Sequence, residues 1–469
     1  MARRLVVIGG GIAGLTTAFN IVERSSDVDV VLLEAGRHFG GNIETDRIDG
    51  YTIERGPNGY LDNAPKTVEL VARLGLEGEL QPADRLAAKR FLFRKGRLHE
   101  LPAGPLSFLS SGVLSLGGRL RVLMEPFARS RPEGVDETVF DFASRRIGRE
   151  AAEILVDSMV SGVFAGNARE LSLRSTFPKM EAMEREHGGL VRAMLAKMML
   201  RRQAKKRGES PAVGGPAGPA GHLTSFRDGL DTLPKRLAER LGARVRLDSP
   251  VTAIRRAPAS WEVDVASGER FEADAVVVAL PSPSAVPVLE QLDDELVDAV
   301  SKMSTARLAV VALGYDAEAI GGAPNGFGFL VPRREGLRLL GCLWDSSIFP
   351  GRAPAGKVLM RVMIGGAHDP GLLDLGDDDI VAIVRRELQQ TMDLSADPEL
   401  TRLYRYPLGI GQYRVGHQVL LERVQHRLEH LPGLWFAGSS YHGVAMNASI
   451  EKADAQAEEI CEFLAVKAG

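Results

Sequence analysis

The sequence predicts an α/β protein in which a Rossmann-like unit is joined to an α+β unit and to an inserted helical unit. Three observations predict this: a strand, glycine turn, helix and strand within the first forty residues, a β-rich return after residue 223, and between them a long stretch with helical spacing. At 469 residues the chain exceeds what one hydrophobic core usually serves, so several units are expected.

The first unit is read from Leu5-Val6-Val7-Ile8, a β-branched apolar run that stops at Gly9-Gly10-Gly11-Ile12-Ala13-Gly14. Leu15 to Val22 continue at helical spacing, and Val28 to Leu33 form a second apolar strand that ends on Glu34. This is a βαβ unit of the kind that binds dinucleotides. Gly9 permits the tight turn, Gly11 lets backbone approach a pyrophosphate, and Gly14 allows helix to pack closely on strand. The helix N-terminus offers N–H groups and partial positive charge to phosphates. Glu34 is placed to accept hydrogen bonds from a ribose diol and would repel a 2′-phosphate. A second diglycine, Gly40-Gly41-Asn42, follows soon after, and it resembles the extension shared by FAD-dependent amine oxidases and their relatives. Those relatives usually carry arginine where His38 stands and often where Asn42 stands. No second GxGxxG occurs, so electrons are expected from the substrate rather than from NAD(P)H.

Composition narrows the class. An apolar share of 45%, a charged share of 25% and a net charge of −3 are those of an ordinary globular protein, and no nucleic-acid partner is expected. Cys342 and Cys461 lie far apart without CxxC spacing, which argues against a redox dithiol, a zinc site or a disulfide framework. Met1-Ala2-Arg3-Arg4 runs straight into a short apolar strand, too brief for a signal-peptide core, so a cytoplasmic location is expected. No apolar run reaches the ~18 residues of a spanning helix, which leaves peripheral contact with the inner face of the cell membrane as the only membrane expectation.

Residues 1–86, 223–283 and 425–469 are assigned to the dinucleotide unit, 87–98 and 284–424 to a substrate unit, and 99–222 to the helical unit. Within the first, Phe226 to Leu241 reads as loop and helix, and Val245–Ile254, Trp261–Val265 and Val276–Leu280 read as strands, the last stopped by Pro281. Ala87 to Met199 is rich in helical spacing, broken at Pro102 and Pro132. Arg201, Arg202, Lys205, Lys206 and Arg207 read as a solvated helix end before the loop-like run 211–221. In the substrate unit Leu308–Leu313 and Val358–Ile364 read as strands and Asp378–Leu394 as an amphipathic helix. Leu434 to Gly438 is a strand ending in glycine, and Gly443 to Ile450 opens a helix that runs on to the C-terminus, a second helix start able to face the cofactor.

Six blocks in order then resemble the protoporphyrinogen and coproporphyrinogen oxidases of haem biosynthesis over nearly the whole chain. They are Glu54-Arg55-Gly56-Pro57-Asn58; Lys89-Arg90-Phe91 with Gly96-Arg97-Leu98; Ser161 to Asn167 with Leu171-Ser172; Gly326 to Pro332; Gly341 to Pro350; and Gly409 to Tyr413 with Gly416-His417, where the family often has proline at Gly411. The resemblance implies a three-domain monotopic flavoenzyme that removes six electrons from a cyclic tetrapyrrole through one non-covalent FAD, with dioxygen as acceptor and hydrogen peroxide as by-product. It implies a propionate partner in Arg90, apolar walls in Phe327, Leu330, Leu343 and Met363, and a close backbone approach at Gly162. It implies cofactor contacts at Gly9, Gly11, Gly14, Glu34, Gly40, Gly41, Asn42, Gly56, Pro57, Asn58, Val251, Tyr406, Gly438, Val444 and Asn447. FAD carries the hard chemistry, so no catalytic side chain and no metal is expected. With Arg90 the one matched cation, the dicarboxylate protoporphyrinogen IX is preferred over the tetracarboxylate coproporphyrinogen III, and the chain is expected to act as a monomer or homodimer.

Other readings stand beside this one. A flavin amine oxidase or carotenoid-type desaturase shares the two ends of the chain, and a prenyl-GTPase chaperone reuses the fold without flavin. His426 and His430 read as an exposed helix face rather than a metal site, and His442 as a loop residue. Pro105 to Phe127, with Phe108, Leu109, Leu116, Leu120 and Leu123 among Arg119 and Arg121, reads equally as a bilayer-surface element or a helix packed on the protein.

Overall fold

The computed structural model describes residues 3–102, 111–131, 134–206 and 221–466. The run 211–220 and the start of the segment Pro105–Phe127, including Phe108 and Leu109, lie outside the described residues, as does Arg207.

The strands Arg3–Ile8 and Val28–Leu33 form as their apolar runs dictate, joined by the helix Ile12–Arg24. They belong to a five-stranded parallel sheet ordered Val245–Arg246, Val28–Leu33, Arg3–Ile8, Ala275–Val278, Leu434–Phe436. Both faces are covered, so the strands are apolar through their buried lengths, with Arg3, Arg4, Asp29 and Arg246 at or near their ends. Leu5 and Val7 point into a core shared with the helices Ile12–Arg24, Thr232–Leu241 and Met446–Val466. Val6 and Ile8 point into the opposite core, made with the antiparallel strands Val251–Arg256 and Trp261–Val265 and the helices Ser282–Leu289, Asp294–Ser301 and His417–Leu428.

The expected strand Val245–Ile254 is two strands in different sheets. Asp248 takes a left-handed φ of 50° and Pro250 follows, so the chain leaves the parallel sheet and restarts at Val251. The helical reading of Ala87 to Met199 likewise fails at its start: Phe91–Arg94 and Arg97–Glu100 form a hairpin, turned by Lys95 and Gly96 at positive φ.

That hairpin is the edge of a seven-stranded sheet ordered Leu400–Gln412, Ser304–Asp316, Lys357–Gly365, Leu339–Leu343, Gly328–Leu330, Phe91–Arg94, Arg97–Glu100. One face, with Phe329, Cys342, Val362 and Val311, packs on the helix Asp377–Met392. The alternate residues Leu330, Gly341, Leu343, Arg361 and Met363 therefore face the other way. Across that second face lies the helix Asp157–Phe164, entered through a π-helical turn at Ala152–Val156. The remaining helices of this unit include Val139–Ile147, Pro178–His187 and Leu190–Lys206. No described helix is long and apolar enough to cross a membrane.

Candidate active site

Two glycine loops meet backbone to backbone. Gly9 has φ 107°, and a Cβ on Gly14 would lie 2.1 Å from the Gly9 carbonyl, so the helix can close on the strand only with glycine there. Gly40 N–H donates to Gly10 O at 2.8 Å, and a Cβ on Gly41 would sit 3.3 Å from Gly11 Cα. A Cβ on Gly11 would meet nothing within 4 Å. The two loops thus leave an open slot at the N-terminus of the helix Ile12–Arg24, where a pyrophosphate gains N–H donors and the helix field.

Glu34 ends its strand beside this slot. Its carboxylate accepts Gly10 N–H at 2.6 Å and Gly36 N–H at 2.7 Å, and Ser249 N–H holds its carbonyl at 2.8 Å, two residues before Val251. Held by two donors, the carboxylate keeps free lone pairs for a diol. Replacing it should be costly: Glu34→Ala is expected to weaken FAD retention about 10- to 100-fold. Flavin release on dilution measures this, and release equal to that of the parent would remove the ribose role.

Further along, Asn42 Nδ2 donates to Gly409 O at 3.1 Å, and a Cβ on Gly56 would fall 2.0 Å from Asn42 O. The Gly56-Pro57-Asn58 turn is thereby pressed between the dinucleotide loops and the large sheet. Both polar atoms of the Asn58 amide are buried without a hydrogen-bond partner among the described residues. A buried amide so placed calls for a partner from outside the polypeptide. With the open Gly11 slot and the Glu34 carboxylate, it makes the site a fit for FAD. Gly438 takes φ 105°, and a Cβ on it would lie 4.0 Å from Ala13 Cβ. Val444 packs toward the helical unit beside Ile410. Asn447 instead holds Leu61 O at 2.8 Å and the Thr67 hydroxyl at 2.9 Å, so its backbone is what remains to face a cofactor. Tyr406, half-buried beside Met363, has its phenol pushed up to about 12 by burial.

The residues implied for substrate fall in one region. Leu330, Leu343 and Met363 are half-buried on the flavin-loop side of the large sheet. Phe327 and Leu343 pack together over Ile348 and Phe349. Arg90 is exposed, its guanidinium 5.0 Å from the Phe327 ring centroid. Gly162 stands opposite Leu330: a Cβ there would lie 2.4 Å from Leu330 Cδ2, and one on Gly341 would lie 3.0 Å from the same atom. Leu330 is therefore lodged in a slot floored by two glycines.

Sequence reasoning missed the charges beneath this face. Arg361 is 2% exposed, pairs with Asp345, and donates from Nη1 to the carbonyls of Glu54 at 2.5 Å and Gly56 at 2.8 Å. Arg352, 1% exposed, pairs with Glu54 at 2.9 Å, and Glu54 also accepts Thr45 Oγ1 and Leu230 N–H. Burial pushes the Glu54 carboxyl up and the Arg352 guanidinium down, each toward its neutral form. His442 Nε2 donates to Phe436 O at 2.9 Å, and burial lowers its pKa. His426 is exposed on the helix His417–Leu428 and His430 is exposed in the turn after it, and no group of His, Cys, Asp or Glu among the described residues is arranged to hold a metal.

The model of one protein family, described as flavin containing amine oxidoreductase, matches residues 12–461. The chain is 29% identical to a coproporphyrinogen III oxidase of Bacillus subtilis, covering 98% of each chain. It is 34% identical to a protoporphyrinogen oxidase of Bos taurus, over 96% of this chain and 97% of that one. A crystal structure of a protein from Exiguobacterium sp. 255-15 superposes with TM-score 0.83 at 26% identity, over 98% of this chain and 99% of that one.

Proposed function

The chain belongs to the flavin containing amine oxidoreductases, and from that premise we propose that it oxidises a porphyrinogen to the corresponding porphyrin. As a family member it is an oxidoreductase, and FAD is its cofactor. The observation that carries the proposal is the half-buried apolar face of Leu330, Leu343 and Met363, set against the flavin loops with Arg90 at its rim. A flat apolar macrocycle with carboxylates on its edge has that chemistry. Relatives named protoporphyrinogen and coproporphyrinogen oxidases, matched over nearly the full chain, support it.

In this reading FAD supplies the hydride acceptor. Three hydrides leave methylene bridges, two protons leave pyrrole N–H groups and a third leaves the remaining methylene bridge by tautomerisation, and three dioxygen molecules are reduced to hydrogen peroxide. The methylene hydrogen is already activated by its flanking pyrroles, so the polypeptide orients the ring and excludes water. Leu330, Leu343 and Met363 hold the macrocycle, and Phe327 steadies Arg90 through its ring face.

Protoporphyrinogen IX, with both propionates on one edge, suits Arg90 alone. Coproporphyrinogen III is the second reading, favoured by a relative of that activity matched over 98% of each chain. Anaerobic mixing of the flavin-loaded protein with each porphyrinogen tests the class: bleaching of the flavin band, then porphyrin fluorescence with three peroxides per turnover in air, is expected. Bleaching by an amine and by neither porphyrinogen would overturn it. Arg90→Ala is expected to raise KM about 10-fold with kcat within about 2-fold, as loss of one charge-assisted contact; unchanged KM for both substrates would remove the carboxylate role.

The proposal includes peripheral membrane contact. The helix Leu116–Leu123 and the turn after it expose Leu116, Leu120, Leu123, Met124 and Phe127, the last 81% exposed. Leu195, Met199 and Leu200 on the helix Leu190–Lys206 are exposed as well, and Glu125 joins the two by accepting the N–H groups of Leu190 and Val191. Such a patch exceeds the scattered apolar residues of an ordinary surface. The double variant Leu120→Ser with Phe127→Ser should lose most co-sedimentation with anionic vesicles while keeping its flavin; unaltered co-sedimentation would count against the membrane role.

A further inference from the structure

The strand Leu400–Gln412 ends where the two flavin loops and the helix Asp157–Phe164 come together. Its last residues touch each of them. Gly409 O accepts Asn42 Nδ2 from the diglycine loop, and a Cβ on Gly411 would lie 3.1 Å from Ser439 O, in the loop after the strand Leu434–Phe436. Gln412 and Tyr413 then reach different neighbours.

Gln412 is 4% exposed, and its Nε2 donates to Phe164 O at 2.8 Å, at the C-terminal end of the helix Asp157–Phe164. The last carbonyls of a helix have no partner within it, so a donor from another element fixes where the helix stops. The stop itself is Ala165, at a left-handed φ of 47° that a residue with a Cβ adopts only at a cost. A Cβ on Gly166 would lie 2.8 Å from Gln412 Oε1, so the turn that follows is shaped to the same amide. Gly162, two residues before the helix end, is the glycine that stands against Leu330.

Tyr413 is 5% exposed. Its hydroxyl donates to Ser439 O and accepts Gly443 N–H at 2.9 Å, which ties the loop 438–443 across its own width. Burial pushes the phenol pKa up, so the proton that the first bond needs stays in place. The ring stacks on His417, with centroids 4.4 Å apart and planes at 20°. The loop held in this way starts at Gly438, beside Ala13 in the first turn of the helix Ile12–Arg24, and leads into the helix Met446–Val466.

We propose that Gln412 and Tyr413 are positioning residues that set, from one strand end, the spacing between the substrate-side helix and the flavin-side loop. Hydride transfer between two bound molecules is sensitive to misplacement of about 1 Å. Anchors on consecutive residues are separated by a backbone step of about 3.8 Å that does not stretch. The strand end cannot slide either, because Gln412 is paired with Ser304 and Gly411 with Thr305. The Tyr413 half of the inference rests on the cofactor alone, and the Gln412 half rests on the porphyrinogen reading.

The test uses the flavin-loaded protein and reads flavin release on dilution, the visible flavin spectrum and single-turnover anaerobic bleaching by porphyrinogen. Tyr413→Phe keeps the stacked ring and removes both bonds to the loop. It is expected to speed flavin release about 10-fold and to blur the fine structure of the visible band. Gln412→Leu keeps the volume and removes the donor. It is expected to slow bleaching at saturating porphyrinogen about 10-fold, with the half-saturating concentration and flavin release each within about 2-fold. Gln412→Asn, one methylene too short to reach Phe164, should behave as Gln412→Leu does and replaces it where that variant does not fold. Flavin release at the parent's rate in Tyr413→Phe, or bleaching at the parent's rate in Gln412→Leu, would overturn the assignment. If dithionite bleaches the parent's flavin and no porphyrinogen does, the porphyrinogen reading fails and the Gln412 half falls with it, while flavin release from Tyr413→Phe still decides the other half.

Discussion

Arg361→Leu is expected to lower the free energy of unfolding by about 3 to 5 kcal/mol and to release FAD. Asp345 is 1% exposed and would be left without a counter-charge, while the carbonyls of Glu54 and Gly56 would lose their shared donor. The second loss frees the turn that carries Asn58, which is why the cofactor should go with the stability. Urea unfolding of the holoprotein, followed by flavin fluorescence and circular dichroism, measures both. A change below about 1 kcal/mol would mean that water or rearrangement compensates Asp345, and the pair would then be incidental. The neighbouring pair of Glu54 and Arg352 is equally enclosed, so removing either partner alone should be of similar severity, whereas exchanging both for apolar residues should be milder.

Gly162→Ala should reduce porphyrinogen turnover by about 100-fold with flavin content and thermal midpoint little changed. A Cβ at this position would lie 2.4 Å from Leu330 Cδ2. Relief requires a displacement of about 1 Å, and Gly341 closes the retreat on the sheet side, so Leu330 moves toward the macrocycle. A misplacement of ~1 Å at a reacting centre costs about two orders of magnitude in rate. Steady-state kinetics with a parallel flavin spectrum distinguish this from unfolding. Unaffected kcat would show that Leu330 does not set the ring position.

Much of the cofactor cradle was legible because its signals are local. Leu5–Ile8 and Val28–Leu33 are uninterrupted apolar runs closed by glycine and glutamate, and the structure sets the strands at Arg3–Ile8 and Val28–Leu33. The helix expected over Asp378–Leu394 runs Asp377–Met392, its polar and apolar faces being set by a period that neighbours do not override. The hairpin Phe91–Glu100 escaped because each strand is only four residues long and lies beside a helical region, although Lys95-Gly96 carried a turn signal. Arg361 escaped for a different reason. In Val358-Leu359-Met360-Arg361-Val362-Met363 it reads as a lone charge in a strand, and its partners stand 16 and more than 300 residues away.

The order of the parallel sheet has a consequence for how the protein is made. Its central strands are Arg3–Ile8 and Ala275–Val278, and its last strand is Leu434–Phe436. At ordinary rates of translation the first strand leaves the ribosome roughly 20 to 90 s before the last one is polymerised. Until Ala275–Val278 is made the first strand lacks a native neighbour on one side, Ala275–Val278 then waits for Leu434–Phe436, and FAD meanwhile has no finished cradle to enter. Assembly of the holoprotein is therefore a late, post-synthetic event, and the nascent chain depends on chaperone shielding in proportion to how slowly its last forty residues arrive.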